Sequence, residues 1–156
     1  MPRIMFVCHG NICRSPMAEF IMKDLTKNDS NFHIASSATS REEIGNSIYS
    51  PAKKILNMHH ITYTNHYARQ LEASDYDKYD YIILFFYIII MDTNNEYNIK
   101  RIIKSDPEHK IRKLLSFIGS DTDVSDPWYT NEFEKCFQDI YKGCVGLLDY
   151  LNKKGR

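Results

Sequence analysis

The sequence predicts a three-layer α/β fold, in which helices cover both faces of a central parallel sheet. An apolar run at residues 4–7 has the length of a short buried strand. A longer run at residues 79–91, dense in Ile, Phe and Tyr, is the strongest strand signal in the chain. Segments with helical spacing of apolar residues alternate with the strands, and this order is typical of a parallel sheet.

Hydrophobic periodicity and turn signals place the remaining elements. In chain order they are a helix at residues 16–25, a strand at 32–38, a loop at 41–46, a helix at 50–58, a turn at 66–70, a short helix at 74–78, the strand at 79–91, a helix at 93–104, an apolar segment at 110–117, a loop at 124–129 and a long amphipathic helix at 131–151. The chain contains no internal repeat or low-complexity linker. We therefore expect one domain over residues 1–156.

The segment between the first strand and the first helix is the most informative motif. It reads Val7-Cys8-His9-Gly10-Asn11-Ile12-Cys13-Arg14-Ser15-Pro16. Gly10 and Asn11 tolerate positive φ, so the segment can form a tight loop. Ser15 is placed to cap the helix and Pro16 to begin it. A tight loop at a helix N-terminus gathers backbone N–H groups, which predicts a phosphate-binding loop directly after the first strand.

Two side chains would make this anion site reactive. Cys8 lies where oriented amides and the helix dipole favour the thiolate, which is the nucleophilic form of cysteine. Arg14 offers a planar fork that matches two oxygens of a phosphate. The Cys-x5-Arg-Ser spacing therefore predicts a phosphate site with a nucleophile at its floor, rather than a buried cysteine beside an unrelated surface arginine.

Charge and cysteine usage narrow the function classes. Lys+Arg and Asp+Glu both number 20, a balance that favours neither nucleic acid nor an acidic membrane surface as partner. The cysteines at positions 8, 13, 136 and 144 lack the spacing of a zinc site. A reactive thiolate at Cys8 favours a reducing compartment. The chain shows no secretory leader, and its longest apolar run is too short for a bilayer. We expect a cytoplasmic protein without a metal.

A general acid is expected on a loop, because phosphoryl transfer to Cys8 leaves an oxyanion that needs a proton. Two Asp-Pro pairs compete, Asp106-Pro107 and Asp126-Pro127. Asp106 lies among charged residues, which is typical of a solvated turn. Asp126 precedes Trp128 and Tyr129, which either pack on a neighbouring helix or form a pocket for an aromatic leaving group. Asp126 is the better candidate.

These residues resemble the low-molecular-weight protein tyrosine phosphatases, whose signature is similar to the run from Val7 to Pro16. Further similar pieces follow in the family's order and cover nearly the whole chain. They are Ser36-x-Ala38-Thr39-Ser40, Ala68-Arg69-Gln70, Tyr79-Asp80-Tyr81-Ile82, Met91-Asp92-x-x-Asn95 and Asp126-Pro127-x-Tyr129. The combination is far more specific than any single piece.

The resemblance implies hydrolysis of phosphotyrosine in proteins or peptides, and of small aryl phosphates, through a phosphocysteine on Cys8. Inorganic phosphate would be the product, and no cofactor is implied. Asp126 would protonate the tyrosyl oxygen and then act as base toward water. Arg14 and the loop amides would hold the phosphate. The residues implied to bind substrate in the loop are His9, Gly10, Asn11, Ile12, Cys13 and Ser15.

The resemblance also assigns supporting roles. The Ser15 hydroxyl would stabilise the Cys8 thiolate, and Asn11, through Ser36 and His66, would hold the loop. Without the resemblance, turn and cap chemistry explains Ser36 and His66 equally well. A reversible disulfide between Cys8 and Cys13 would protect the enzyme against peroxide. The pocket rim would consist of Glu42, Trp128 and Tyr129.

The sequence departs from the family pattern in three places. Ala35 stands where an acidic residue often helps to orient the histidine corresponding to His66. Glu42 replaces a common aromatic on the rim, which would disfavour acidic phosphopeptides, and Trp128 stands where tyrosine is common. Residues 83–90 carry roughly six extra apolar residues, which could lengthen the strand, bulge out or expose an edge.

Two other functions are compatible with a cysteine in an anion-binding loop. A non-catalytic phosphotyrosine-binding module would use the same loop, although binding alone needs neither the Cys8 thiol nor the Asp126 acid. Arsenate reduction would need further redox cysteines within reach of Cys8. Cys136 and Cys144 fall on the predicted C-terminal helix, where a core or surface role is expected.

Overall fold

The computed structural model describes residues 2–85 and 91–154, with the backbone alone described for residues 91–96. The described strands are β1 (Arg3–Cys8), β2 (His33–Ala38), β3 (Tyr81–Leu84) and β4 (Ile111–Lys113). All neighbouring pairs are parallel, in the order β2-β1-β3-β4. Because β2 and β3 flank β1 on opposite sides, the loop after β1 leaves the sheet at a topological switch point, where such folds bind ligands.

The described helices alternate with these strands, as the sequence predicts. They are α1 (Arg14–Leu25), α2 (Ser50–Met58), α3 (Asp75–Lys78), α4 (Met91–Ile102), a 3₁₀ helix at Leu114–Ile118, α5 (Pro127–Thr130) and α6 (Phe133–Lys154). The predicted turn at residues 66–70 is wrong, because this segment runs without a turn and Gln70 forms an isolated parallel bridge with Ala38. No described helix combines the length and the apolar character needed to cross a bilayer.

Both faces of β1 are buried, which explains its continuous apolar sequence. Ile4 and Phe6 pack into a core with side chains of α1, α2 and α6. Met5 and Val7, which point to the other face, pack into a second core that includes Ile99 of α4. The period of two along the strand thus divides its apolar residues between two helical layers. The predicted three-layer α/β fold is confirmed.

The predicted strand at residues 79–91 is wrong at its C-terminal end. β3 ends at Leu84, and Met91 begins α4. Periodicity cannot separate a buried strand from the start of a buried helix within one apolar run. Of the extra apolar segment at residues 83–90, Ile83, Leu84 and Phe85 are buried. Residues 86–90 lie outside the described residues, as does the predicted effect of this segment on the strand.

Two helix starts also differ from the prediction. α1 begins at Arg14 with Cys13 at the N-cap position and no side-chain cap, so Ser15 is not the cap residue. The predicted loop at residues 124–129 contains the start of α5, and Asp126 is its N-cap, with Oδ1 accepting a hydrogen bond from the Trp128 amide at 3.0 Å. Asp at the N-cap followed by Pro at the first helical position is a common helix start, which explains why α5 begins here.

Candidate active site

One pocket of about 110 Å³ lies at the carboxyl end of β1. Its wall combines the loop after β1, the turn after β2 and the start of α5, and its lining residues are Cys8, His9, Gly10, Asn11, Ile12, Cys13, Arg14, Glu42, Glu43, Asp126, Trp128 and Tyr129. The structure therefore brings together the predicted nucleophile, phosphate-binding arginine, general acid and rim. Ser15, Ser36 and His66 lie behind the loop and contact it through Asn11 or Cys8.

Residues outside the loop after β1 hydrogen-bond to its backbone carbonyls. The carbonyl of His9 accepts hydrogen bonds from the amide and hydroxyl of Ser40, at 3.1 and 2.8 Å. The carbonyl of Ile12 accepts from the Tyr49 amide at 2.8 Å. In a trans peptide the following N–H points away from the carbonyl, so these contacts aim the amides of Gly10 and Cys13 toward the pocket.

Asn11 is the residue that makes the tight loop possible. It adopts φ of 60°, in the left-handed region that asparagine tolerates better than most residues. Gly10 has no positive φ, in contrast to the prediction, and a Cβ there would lie 3.4 Å from Glu43 Cγ. This is ordinary van der Waals contact with a flexible side chain, so the space around Gly10 does not itself require glycine.

The sulfur of Cys8 has two polar neighbours. Its Sγ lies 3.0 Å from Ser15 Oγ and accepts from the Asn11 amide at 3.3 Å. Cys8 is 4% exposed, so these contacts take place away from bulk water. The Ser15 side chain, in place of capping α1, contacts the sulfur of the predicted nucleophile.

A buried polar network supports Asn11 from behind. Its Nδ2 donates to Ser15 Oγ at 2.7 Å and to Ser36 Oγ at 3.0 Å. Ser36 in turn donates to Glu19 Oε1 at 2.6 Å. His66 Nε2 donates to the Asn11 carbonyl at 2.9 Å, because a carbonyl oxygen can only accept. Asn11 Oδ1 also accepts a hydrogen bond from the backbone amide of Arg69. Hydrogen bonds therefore hold the side-chain amide of Asn11 at both its oxygen and its nitrogen, and hold its backbone carbonyl as well.

Glu19 is a site residue that sequence reasoning missed. Its Oε1 lies 4.0 Å from His66 Nδ1, so Glu19 places a carboxylate near this histidine although residue 35 is alanine. The side chain of Glu19 is 10% exposed, on the inner face of α1. The signal that could have revealed it is an acidic residue between Ala18 and Phe20, in a helix segment that is otherwise apolar and buried.

Arg14 and Asp126 meet inside the pocket. Arg14 is 1% exposed, and its Nη1 donates to the Val124 carbonyl at 2.8 Å. Its Nη2 lies 3.7 Å from Asp126 Oδ2, and the Asp126 side chain is 9% exposed. The contact to Val124 ties the guanidinium to the segment that carries the acid. The predicted phosphate-binding group and the predicted general acid are therefore adjacent.

Asp106, the competing acid, is engaged elsewhere. Its carboxylate accepts hydrogen bonds from the Tyr76 hydroxyl and from the amides of Lys110 and Ile111. Burial by itself raises the pKa of Asp106, but these hydrogen bonds outweigh it and lower the pKa below its usual range. Asp106 is absent from the lining of the pocket that contains Cys8. Its geometry is that of a turn-stabilising carboxylate.

The pocket rim combines aromatic and acidic side chains. Trp128 and Tyr129 are 53% and 51% exposed, and the Trp128 ring packs against Tyr49 with centroids 4.9 Å apart. Glu42 Oε2 lies 2.9 Å from His9 Nε2. Trp128 therefore packs against Tyr49 and also lines the pocket, and its contact with an aromatic leaving group stays a prediction.

The cysteines other than Cys8 are buried free thiols. Burial, together with the nearby Cys8 and Asp126, raises the pKa of Cys13 far above its usual range, although Arg14 acts in the opposite direction. Burial likewise raises the pKa of Cys136 and Cys144. These three side chains are neutral thiols at neutral pH and weak nucleophiles.

Comparisons with known proteins agree with this geometry. The chain matches a model of the family described as low molecular weight phosphotyrosine protein phosphatase over residues 3–156. It is 38% identical over 156 residues to the low molecular weight protein-tyrosine-phosphatase PtpA of Staphylococcus epidermidis, covering 98% of this chain and 96% of that protein.

Two solved structures are similar in fold as well. The low molecular weight protein tyrosine phosphatase SP-PTP from Streptococcus pyogenes is 39% identical with a TM-score of 0.82, covering 97% of this chain and 93% of that one. YfkJ from Bacillus subtilis is 35% identical with a TM-score of 0.89, covering 100% of this chain and 98% of that one. The chain belongs to the low molecular weight phosphotyrosine protein phosphatase family.

Proposed function

We propose that this protein is a tyrosine phosphatase that hydrolyses phosphotyrosine in proteins or peptides, and small aryl phosphates, in a single catalytic domain spanning residues 1–156. The observation that carries the proposal is the presence of Cys8, Arg14 and Asp126 in one pocket, with the guanidinium 3.7 Å from the acid. Family membership and the names of relatives 38% identical to this chain support the same reaction.

The first step transfers the phosphoryl group to Cys8. The sulfur attacks phosphorus while the bond to the tyrosyl oxygen breaks, and Asp126 gives its proton to that oxygen. Arg14 and the loop amides hold the equatorial oxygens, where charge develops in the transition state. The products of this step are tyrosine and a phosphocysteine.

The second step releases inorganic phosphate. Asp126, now ionised, takes a proton from a water molecule that attacks the phosphocysteine. The S–P bond breaks, and the Cys8 thiolate leaves. The Ser15 hydroxyl at 3.0 Å and the Asn11 amide at 3.3 Å stabilise its charge. Because a free thiolate requires reducing conditions, we infer a cytoplasmic location.

The test is hydrolysis of an aryl phosphate by wild type and Cys8→Ser, with and without EDTA. We expect turnover that resists chelation and is abolished in Cys8→Ser. Rapid mixing of wild type with substrate should also give a burst of phenol ahead of phosphate, which reports the covalent intermediate. Tight binding of phosphotyrosine without turnover would replace this proposal with the binding-module alternative.

Arsenate reduction is tested in the same preparation. It requires resolving thiols, whereas Cys136 and Cys144 are 2% and 0% exposed within the core. We therefore expect no arsenate-dependent oxidation of an added thiol reductant. Arsenate should act only as a competitive inhibitor, since it resembles phosphate in shape and charge. Thiol oxidation at a rate that matches aryl phosphate turnover would favour the reductase.

A further inference from the structure

The charged side chains at the entrance of the pocket are predominantly acidic. Glu42 and Glu43 follow one another in the turn after β2, and both line the pocket. Arg14 also lines the pocket, but its guanidinium is 1% exposed at the floor. A substrate residue at the entrance therefore lies closer to the carboxylates of Glu42 and Glu43 than to the buried guanidinium of Arg14.

Neighbouring groups leave most of this negative charge in place. Glu43 Oε2 accepts a 2.6 Å hydrogen bond from Asn46 Nδ2, a neutral donor that orients the carboxylate without cancelling its charge. Glu42 lies 2.9 Å from His9, but its side chain is 68% exposed. Arg41, the adjacent cation in the sequence, directs its Nε to Gln70 Oε1 at 3.1 Å and does not line the pocket.

The two carboxylates act on flanking residues more than on the phosphate itself. Once the phosphate is in the loop, Arg14 and the amides compensate its charge, as they would for any substrate. Residues next to the phosphotyrosine would lie at the entrance that Glu42 and Glu43 line, and a Debye length of about 10 Å at 0.1 M salt lets these carboxylates act on them. Positive side chains there are attracted and negative ones repelled, which discriminates between partners.

We propose that this phosphatase prefers phosphotyrosine flanked by Lys or Arg to phosphotyrosine flanked by Asp or Glu, and that Glu42 and Glu43 set the preference. The proposal rests on the proposed phosphatase function and deepens it by naming the substrate class. An exposed ion pair between one substrate side chain and one carboxylate contributes little free energy. The preference therefore arises from Glu42 and Glu43 together.

The experiment measures kcat/KM for three phosphotyrosine peptides of equal length, in which the residues flanking phosphotyrosine are Lys, Gln or Glu. At low ionic strength we expect the Lys peptide to exceed the Glu peptide about tenfold, mainly through KM. The ratio should fall toward one at about 1 M salt, where the Debye length is only about 3 Å.

Two variants assign the effect. Glu42→Gln combined with Glu43→Gln should reduce the ratio of the Lys to the Glu peptide to about twofold or less. Asp149→Asn is the matched control, since it also removes an exposed carboxylate. Asp149 lies in the last turns of α6 and pairs with Lys153, with 62% of its side chain exposed. Leu151, two residues further along α6, lines the same surface depression as Pro2, which precedes β1. Asp149 is therefore near the amino end of the sheet, whereas the active-site pocket lies at the carboxyl end. The control should keep the wild-type ratio.

The outcomes distinguish the charge preference from the phosphatase function on which it rests. Hydrolysis of the Gln peptide with a Lys-to-Glu ratio near one overturns the preference and leaves the proposed phosphatase function standing. A wild-type ratio that persists in the double variant overturns the assignment to Glu42 and Glu43. Hydrolysis of none of the three peptides, nor of a small aryl phosphate, overturns both proposals.

Discussion

Asp126 Oδ2 lies 3.7 Å from Arg14 Nη2, although one residue follows the first strand and the other precedes the last helix. Both side chains are almost fully buried, at 9% and 1% exposure. The Val124 carbonyl, which accepts from Arg14 Nη1, fixes the distance between them. A phosphate held by the guanidinium is thereby placed beside the group proposed to protonate its leaving oxygen.

Replacing Asp126 by Asn should lower kcat about 10²–10⁴-fold, because the amide cannot donate the proton that the acid supplies. Asn retains an oxygen that can cap α5 at the Trp128 amide, so the fold is preserved. The loss should grow as the pKa of the leaving phenol rises, because poorer leaving groups depend more on the acid. Steady-state kinetics on a series of substituted phenyl phosphates measures this slope.

Asp106→Asn is the matched control for that prediction. Its carboxylate binds the Tyr76 hydroxyl and backbone amides outside the pocket, so kcat should stay within about twofold of wild type. Equal losses of kcat in the two variants would contradict the assignment of the acid.

Glu19→Gln should lower kcat about tenfold with a small change in KM, because the loop is positioned through Ser36 and His66 rather than through a contact to substrate. Gln keeps the shape but removes the charge facing His66. The readout is the split between kcat and KM, together with the midpoint of urea unfolding.

Lys23→Gln separates this role from a surface ion pair. Lys23 Nζ contacts the other oxygen of the same carboxylate, Glu19 Oε2, at 2.6 Å, and its side chain is 44% exposed. Removing it should leave kcat unchanged, since exposed i,i+4 pairs contribute little. A tenfold loss in Lys23→Gln as well would assign the effect to the helix rather than to the loop network.

Cys13→Ser should make peroxide inactivation irreversible. Peroxide oxidises the Cys8 thiolate to a sulfenic acid, and the neutral Cys13 thiol then forms a disulfide with release of water. The wild type should recover at least half its activity with dithiothreitol, whereas the variant should lose this recovery as Cys8 oxidises further. Mass spectrometry of the inactivated protein should show a loss of two hydrogen atoms in the wild type only.

Asp106 should contribute to the free energy of unfolding at neutral pH and lose this contribution in acid. A carboxyl with a lower pKa in the folded than in the unfolded state stabilises the fold above the unfolded pKa, and this contribution is lost as pH falls through the folded pKa. Asp106→Asn should lower the free energy of unfolding by about 1–2 kcal/mol at neutral pH. The difference should shrink below about pH 5. A difference that is constant from pH 7 to about pH 3 would contradict this.

Gly143→Ala should destabilise the fold by about 1–3 kcal/mol, despite the higher helix propensity of alanine. A Cβ at this buried position of α6 would lie 2.5 Å from Leu114 Cγ, on the 3₁₀ helix against which α6 packs. Lys142→Ala, exposed on the same helix, should be neutral or slightly stabilising. Thermal unfolding of both variants measures the difference, and a stabilised Gly143→Ala would show that Leu114 can move aside.

The sequence determined the local features of the site. Residues from Cys8 to Pro16 follow one another along the chain, so their spacing alone predicts a strand, a tight loop and a helix start. Helix positions were predicted within a few residues wherever apolar periodicity was strong, as in α2 and α6. Where one apolar run contains both a strand end and a helix start, periodicity could not find the boundary at Met91.

Tertiary structure decided everything that joins distant segments. The local sequence favoured Asp126 over Asp106 as the acid, but only the fold places Asp126 beside Arg14. The same is true of Glu19, whose carboxylate meets Ser36 and His66 because α1 packs against β2. The physical reason is that burial and hydrogen-bond geometry depend on packing between elements, whereas propensity and periodicity report only on neighbours along the chain.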